Sequence, residues 1–169
     1  MSDRPLVGIV MGSDTDLPVM TETAATLKKF GVPFEVEITS AHRSPARTSE
    51  YARSAIARGL QVIIVGAGGA SHLAGIIAAE TTLPVVGVPM ATTTLVGLDA
   101  LLSTVQMPGG VPVACTAIGT PGAINAAIFA AEIIALSDPE LARRLVEHKE
   151  QLARSVAEKS EKVKREFSV

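Results

Sequence analysis

Cysteine, aromatic side chains and, over a long central stretch, positive charge are what this sequence has least of. One cysteine in 169 residues, Cys115, excludes a disulfide framework and any cysteine-based zinc site. Tryptophan is absent and aromatics make up 3% of a chain that is 47% hydrophobic, so the core must be built from Ala, Val, Ile and Leu. That composition suits buried parallel strands covered by alanine-rich helices. No H-x-H or H-E-x-x-H pair occurs, which argues against a metal site. No lysine lies between Lys29 and Lys149, so the core offers no amine for a Schiff base. The pattern G-x-x-x-x-G-K-[ST] is missing, which argues against nucleoside triphosphate hydrolysis. No apolar run of about 18 residues is free of Gly and Pro breaks, so no membrane span is expected. The opening Met1-Ser2-Asp3-Arg4-Pro5 is too short and polar for a signal peptide, and a cytoplasmic location is the default. A net charge of −2 gives no sign of a nucleic-acid binder. What remains is acid–base chemistry through histidine, with no cofactor.

Charge is unevenly spread. From Gly59 to Ala142 there is no lysine or arginine, and up to Asp138 the acidic residues are Glu80, Asp99, Glu132 and Asp138. Such a stretch is expected to be buried, in the core or against other subunits. From Pro139 onward, 14 of the last 31 residues are charged. The chain therefore divides into an α/β body over 1–138 and a C-terminal helix over 139–169.

The body reads as strands alternating with helices. Strands are expected at Leu6–Met11, Phe34–Ile38, Val62–Val65, Val85–Val88 and Val113–Ala117. Helices are expected from Asp16 to Phe30, Ser44 to Arg58, Ser71 to Thr81, Val96 to Thr104 and Gly122 to Leu136. Asp16 and Ser44 suit N-caps, and Pro18 and Pro45 suit first helical turns. About five strands in this order imply a three-layer, doubly wound parallel sheet. Ligands of such sheets bind outside the carboxyl ends of the strands. Four small, polar or glycine-rich loops fall there, and each precedes a helix: Gly12–Asp16, Ser40–Arg43, Gly66–His72 and Ile118–Gly122. Free N–H groups at helix starts favour an anion, with phosphate the natural choice.

Each candidate has two readings. The Ser13 hydroxyl can serve a phosphate and the Asp16 carboxylate a ribose, or both residues can simply cap. The spacing is not G-x-G-x-x-G, so a nicotinamide cofactor is disfavoured. His42, with an ordinary pKa near about 6.5, can give and take protons near neutrality, or be a plain surface histidine. Arg43 is the one Lys or Arg in the four loops, with Arg47 a turn further on. The small residues from Gly66 to Ala70 let backbone approach a ligand closely. His72 either contacts that ligand or starts a helix. Met107, in Gln106–Gly110, reads as packing.

The last helix carries apolar residues at Leu141, Leu145, Leu152, Val156, Val163 and Phe167, a spacing of 4, 7, 4, 7, 4. An 11-residue repeat places them on one nearly straight stripe. A helix of roughly 40 Å outreaches the body, so it is expected to pack on a neighbouring subunit of a homo-oligomer.

Five segments together resemble a known family: Gly8–Asp16 (GIVMGSDTD), Ser40–Pro45 (SAHRSP), Gly66–Leu73 (GAGGASHL), Leu83–Pro89 (LPVVGVP) and Ser103–Val113 (STVQMPGGVPV). In this order they resemble the N5-carboxyaminoimidazole ribonucleotide mutases of purine (IMP) biosynthesis, the PurE family, over about Val7 to Leu145. The Gly-Ala-Gly-Gly-Ala form resembles the bacterial mutase branch rather than the branch that carboxylates aminoimidazole ribonucleotide directly. The resemblance implies a flavodoxin-like fold, a homo-octamer, and transfer of a carboxyl group from N5 to C4 without ATP or metal. It makes His42 the catalytic residue and places Ser13, Asp16 and Arg43 on the ribonucleotide. Ser40, Gly68, Gly69, Ala70 and His72 would line the same pocket. One departure is Ala74, where the family usually carries proline. Direct carboxylation with carbon dioxide, and a non-catalytic nucleotide-binding oligomer, are the competing readings.

Overall fold

The structure, a computed structural model, describes residues 4–167. Five strands form one parallel sheet: β1 (Val7–Met11), β2 (Phe34–Ile38), β3 (Val62–Gly68), β4 (Val85–Met90) and β5 (Ala114–Cys115). Six α-helices accompany them among the described residues: α1 (Leu17–Lys29), α2 (Pro45–Arg58), α3 (Leu73–Glu80), α4 (Leu98–Val105), α5 (Thr120–Ala135) and α6 (Pro139–Glu166). The strand order is β2-β1-β3-β4-β5, that of a flavodoxin-like sheet. The chain divides into two compact units, one ending at Ile133 and one beginning at Ile134.

The apolar runs become central strands because both faces of the sheet are covered. Every residue of β1 is buried, and Val62, Ile63, Ile64 and Val65 of β3 are at most 1% exposed. On one face, Tyr51, Ala52 and Ala55 of α2 and Leu73, Ala74 and Ile77 of α3 join Val10, Ile63 and Val65 in one cluster. On the other, Met20 of α1 reaches Gly66, and Thr23 of α1 donates to the Ala123 carbonyl of α5 at 3.0 Å. Ala123, Ala126, Ala127, Ala130 and Ala131 are wholly buried, so alanine lets α5 pack closely. Right-handed crossovers explain the division: β1 steps to β2 in one direction, and every later step runs the other way.

Element boundaries differ from expectation where the backbone turns left-handed. Helix α3 starts at Leu73 rather than Ser71, because Ser71 sits at φ +47°. It also ends one residue earlier than expected, at Glu80. Helix α4 starts at Leu98 rather than Val96, because Val96 and Gly97 have φ of +52° and +89°. Strand β3 runs three residues further than expected, and β5 is two residues long. Cys115, expected on a buried strand, is half-buried; burial pushes its thiol pKa up. Asp16 does not cap α1. It ends a 3-10 turn, Asp14–Asp16, whose capping oxygen is Ser13 Oγ, accepting from Thr15 N at 3.3 Å. Ser44 does not cap α2 through its side chain either; its Oγ accepts from Ser40 N at 3.0 Å.

Helix α6 is capped by Asp138, whose Oδ1 accepts from Glu140 N and Leu141 N, both at 3.0 Å. Of its apolar stripe, Leu141 and Leu145 are buried, whereas Leu152, Val156, Val163 and Phe167 are exposed.

Tyr51 crosses above β1 with its hydroxyl where a side chain on Gly8 would begin. A Cβ there would lie 2.3 Å from that oxygen and 3.0 Å from Leu60 Cδ1. Gly8→Ala is therefore expected to lower stability by about 1–3 kcal/mol through overpacking. The Tyr51 hydroxyl has no hydrogen-bond partner, so Tyr51→Phe in the Gly8→Ala background should recover part of the loss. Thermal melts of the native protein and the two variants check this. An unchanged midpoint in Gly8→Ala would show that α2 lifts off β1 freely.

Candidate active site

The switch in winding direction separates the loops that follow β1 and β3, and a cavity of about 290 Å³ opens between them. The β1 loop contributes Gly12, Ser13, Thr15 and Asp16. The β2 loop contributes Ser40 to Arg43, and the β3 loop Ala67, Gly68, Ser71 and His72. Thr92 closes the cavity from beyond β4.

Backbone bonds hold the loops together. Gly12 N donates to Gly66 O at 3.2 Å, and Thr39 N donates to Met11 O at 3.0 Å. Behind the β2 loop, the buried Thr39 hydroxyl meets Thr48 of α2 at 2.8 Å and Ser44 at 3.2 Å. Ser40 Oγ accepts from Arg43 N at 3.2 Å, folding the loop into a turn that presents His42 and Arg43. Arg43 Nη2 donates to Gly12 O at 3.3 Å, bridging the β1 and β2 loops. Among the described residues lining the cavity, Arg43 is the one Lys or Arg.

His42 and His72, thirty residues apart, meet edge to face. Their ring centroids are 4.8 Å apart, and His42 Nε2 lies 2.7 Å from His72 Nδ1. A bond that short holds one proton between the two nitrogens, so the rings cannot both present N–H there. The pair can pass a proton toward the cavity and take one back.

Asp16 is 4% exposed. Burial pushes its carboxyl pKa above the usual value, while the backbone amides of Ser13 and Gly12 pull the other way. Two glycines mark where bulk is forbidden. A Cβ on Gly68 would fall 1.9 Å from Thr92 Oγ1, and one on Gly66 would fall 2.5 Å from Met90 Cε.

The structure thus brings Ser13, Asp16, Ser40, His42, Arg43, Gly68 and His72 around one space. Gly69 and Ala70 are not among the lining residues; Gly69 turns the chain at φ +58°. Thr15, Ser71 and Thr92 line the cavity although nothing singled them out in sequence. The Thr92-Thr93-Thr94 run after β4 was the available signal for the last. Among the described residues, no three His, Cys, Asp or Glu side chains cluster as a metal site, and no helix is long and apolar enough to cross a membrane.

A family model described as AIR carboxylase matches residues 6–155. A relative from Thermotoga maritima, named N5-carboxyaminoimidazole ribonucleotide mutase, is 55% identical over 94% of this chain and 92% of its own. One of the same name from Pyrococcus horikoshii is 54% identical over 96% and 90%. The crystal structure of Treponema denticola PurE superposes with a TM-score of 0.86 at 29% identity, covering 95% of this chain and 99% of that one.

Burial of Asp16 has a measurable consequence. Its folded-state pKa is raised, so ionisation opposes folding. That penalty is absent below the unfolded pKa, about 4, and is complete once pH exceeds the raised folded value. Asp16→Asn should therefore melt higher than the native protein at neutral pH, with the gap closing toward about pH 4. Melts at the two pH values check this; an equal gap at both would remove ionisation as its cause.

Proposed function

The chain belongs to the AIR carboxylase family, and on that footing we propose that it moves the carboxyl group of N5-carboxyaminoimidazole ribonucleotide from N5 to C4, with His42 as proton carrier. The observation that carries this reading is the convergence of His42, Arg43, Ser13 and Asp16 on one cavity, in a chain whose relatives at 49–55% identity bear the mutase name.

Arg43 and the Ser13 hydroxyl hold the phosphate, and the buried Asp16 carboxylate accepts from ribose hydroxyls. Anchored at that end, the imidazole extends toward His42, His72 and Gly68. Protonation of N5 by His42 breaks the N–C bond of the carbamate and releases carbon dioxide. The freed aminoimidazole is an enamine, nucleophilic at C4. C4 attacks the retained carbon dioxide, and His42 then removes the C4 proton. One proton enters and one leaves, so the sequence balances without oxidant, reductant or nucleoside triphosphate. General acid–base help of this kind contributes about 10²–10⁴-fold. Gly68 keeps the wall beside the reacting carbon bare enough for a small molecule.

The protein acts as a homo-oligomer, an octamer on the family pattern, in the cytoplasm. Two exposed apolar surfaces support assembly. Leu95, Val96, Leu98, Leu102 and Val105 crowd the start and face of α4 within the charge-poor stretch. Leu152, Val156, Val163 and Phe167 continue the stripe of α6. On this reading the body, 1–138, carries catalysis and one contact surface, and the C-terminal helix, 139–169, carries the other.

His42→Asn should lower turnover by roughly 10²-fold or more while product nucleotide still binds, as read by an ultraviolet interconversion assay and by calorimetry. Near-native turnover would refute the role of His42. Supplying the carbamate, or aminoimidazole ribonucleotide with bicarbonate, separates mutase from direct carboxylase; the mutase uses the first at low bicarbonate. Sedimentation at micromolar concentration should show a species several times the mass of the chain, and a monomer would sink the assembly.

A further inference from the structure

Ser71 holds an awkward backbone. Its φ of +47° is left-handed, a conformation that a non-glycine residue keeps only when its surroundings impose it. Three bonds do so. Ser71 N donates to Gly68 O at 3.1 Å, and Ser71 Oγ lies 3.3 Å from Ala67 O and 3.1 Å from Thr104 Oγ1. Thr104 Oγ1 also lies 2.7 Å from Ala100 O, one turn back in α4. Ser71 is 8% exposed and Thr104 2%, so both hydroxyls depend on protein partners. The next residue is His72, whose carbonyl accepts from Ile76 N at 3.0 Å at the start of α3. Its ring is the partner of His42 at 2.7 Å. His42 itself stands on an exposed turn, and His72 is the residue to which its ring is hydrogen-bonded. A continuous line of contacts therefore runs from α4 to the proton carrier.

We propose that the buried Ser71–Thr104 hydroxyl pair is a positioning device: it pins the β3 loop to α4, and so fixes His72, and through it the His42 ring, in line for proton transfer. The role rests on the mutase reading given above. Thr104 is the more telling member, because it does not line the cavity whereas Ser71 does. The Thr104 hydroxyl meets the β3 loop through Ser71. Two apolar residues could fill the same space. A polar pair there fixes one loop geometry, since a shifted loop would leave buried hydroxyls unpaired.

Thr104→Val removes the hydroxyl and keeps the methyl that rests over Gly87, where a Cβ would lie 2.5 Å from Thr104 Cγ2. Thr104→Ser does the reverse. Positional errors of an ångström far from the reacting atoms reach about 10²-fold in rate, and a partial loosening is expected to lower kcat of Thr104→Val about tenfold. KM and product affinity should stay within about twofold, because Arg43, Ser13 and Asp16 are untouched. Thr104→Ser should keep kcat within about twofold, and Ser71→Ala combined with Thr104→Val should cost no more than the worse single change. Native kcat in Thr104→Val overturns the proposal. So does an equal loss in Thr104→Ser, which would trace the effect to the methyl, or a loss carried by KM. Should Thr104→Val fail to fold, Ser71→Ala carries the same test, with native kcat again the refuting result. A native protein without turnover sinks the mutase reading; native turnover beside an unimpaired Thr104→Val sinks only the positioning role.

Discussion

The pairing of β1 with both β2 and β3 is the constraint on which the rest of the structure depends. Val7 to Met11 are in register with Phe34 to Ile38 on one side and with Val62 to Gly66 on the other. Parallel strands need right-handed crossovers, so the two neighbours of β1 are reached by helices on opposite faces. The loops leaving β1 and β3 must then diverge, and the space between them is the cavity. Every proposed site residue hangs on this geometry. Ser13 and Asp16 leave β1, His42 and Arg43 leave β2, and Gly68 and His72 end β3 or follow it.

Close packing at the carboxyl ends of the strands explains glycines that sequence reading gave to the ligand. Gly66 has Met20 and Met90 against it, and Gly68 has the Thr92 hydroxyl. Gly75, on α3, has Met107, whose Cε would lie 2.9 Å from an added Cβ; Met107 is a packing residue, as its sequence context suggested. These glycines are required by neighbours from distant segments before any ligand arrives.

Charge is used sparingly, and where it is buried it works against folding. Asp16 is held in an environment that disfavours its ionised form, which is a common cost of a preformed polar site. Elsewhere several charged groups are paired at the surface, Arg53 with Glu80 and Arg58 with Glu35 among them. Glu80, one of four acidic residues in the charge-poor stretch, accepts from Arg53 Nε at 2.7 Å and Ser49 Oγ at 2.9 Å, tying α3 to α2. The uncharged stretch is only partly interior: α4 shows an apolar face to solvent that a protein of this size rarely leaves open.

By itself the sequence determined the fold class, five strands in alternation with helices, because buried parallel strands must be continuous apolar runs and loops must carry Gly, Pro and small polar residues. It also pointed to the loops proposed as the site, since Arg43 is the one Lys or Arg in the four of them and His42 stands beside it. Boundaries were less legible: Ser71 and Val96 take a left-handed backbone that no local pattern announces, so α3 and α4 begin two residues later than periodicity suggests. Only the tertiary structure decided that His42 and His72 meet at hydrogen-bond distance, that Thr92 and Ser71 line the cavity while Gly69 and Ala70 do not, and that Thr104 stands behind Ser71. The physical reason is the same in each case. These are contacts between residues 24 to 33 positions apart, set by the order of strands in the sheet, and no local propensity encodes them.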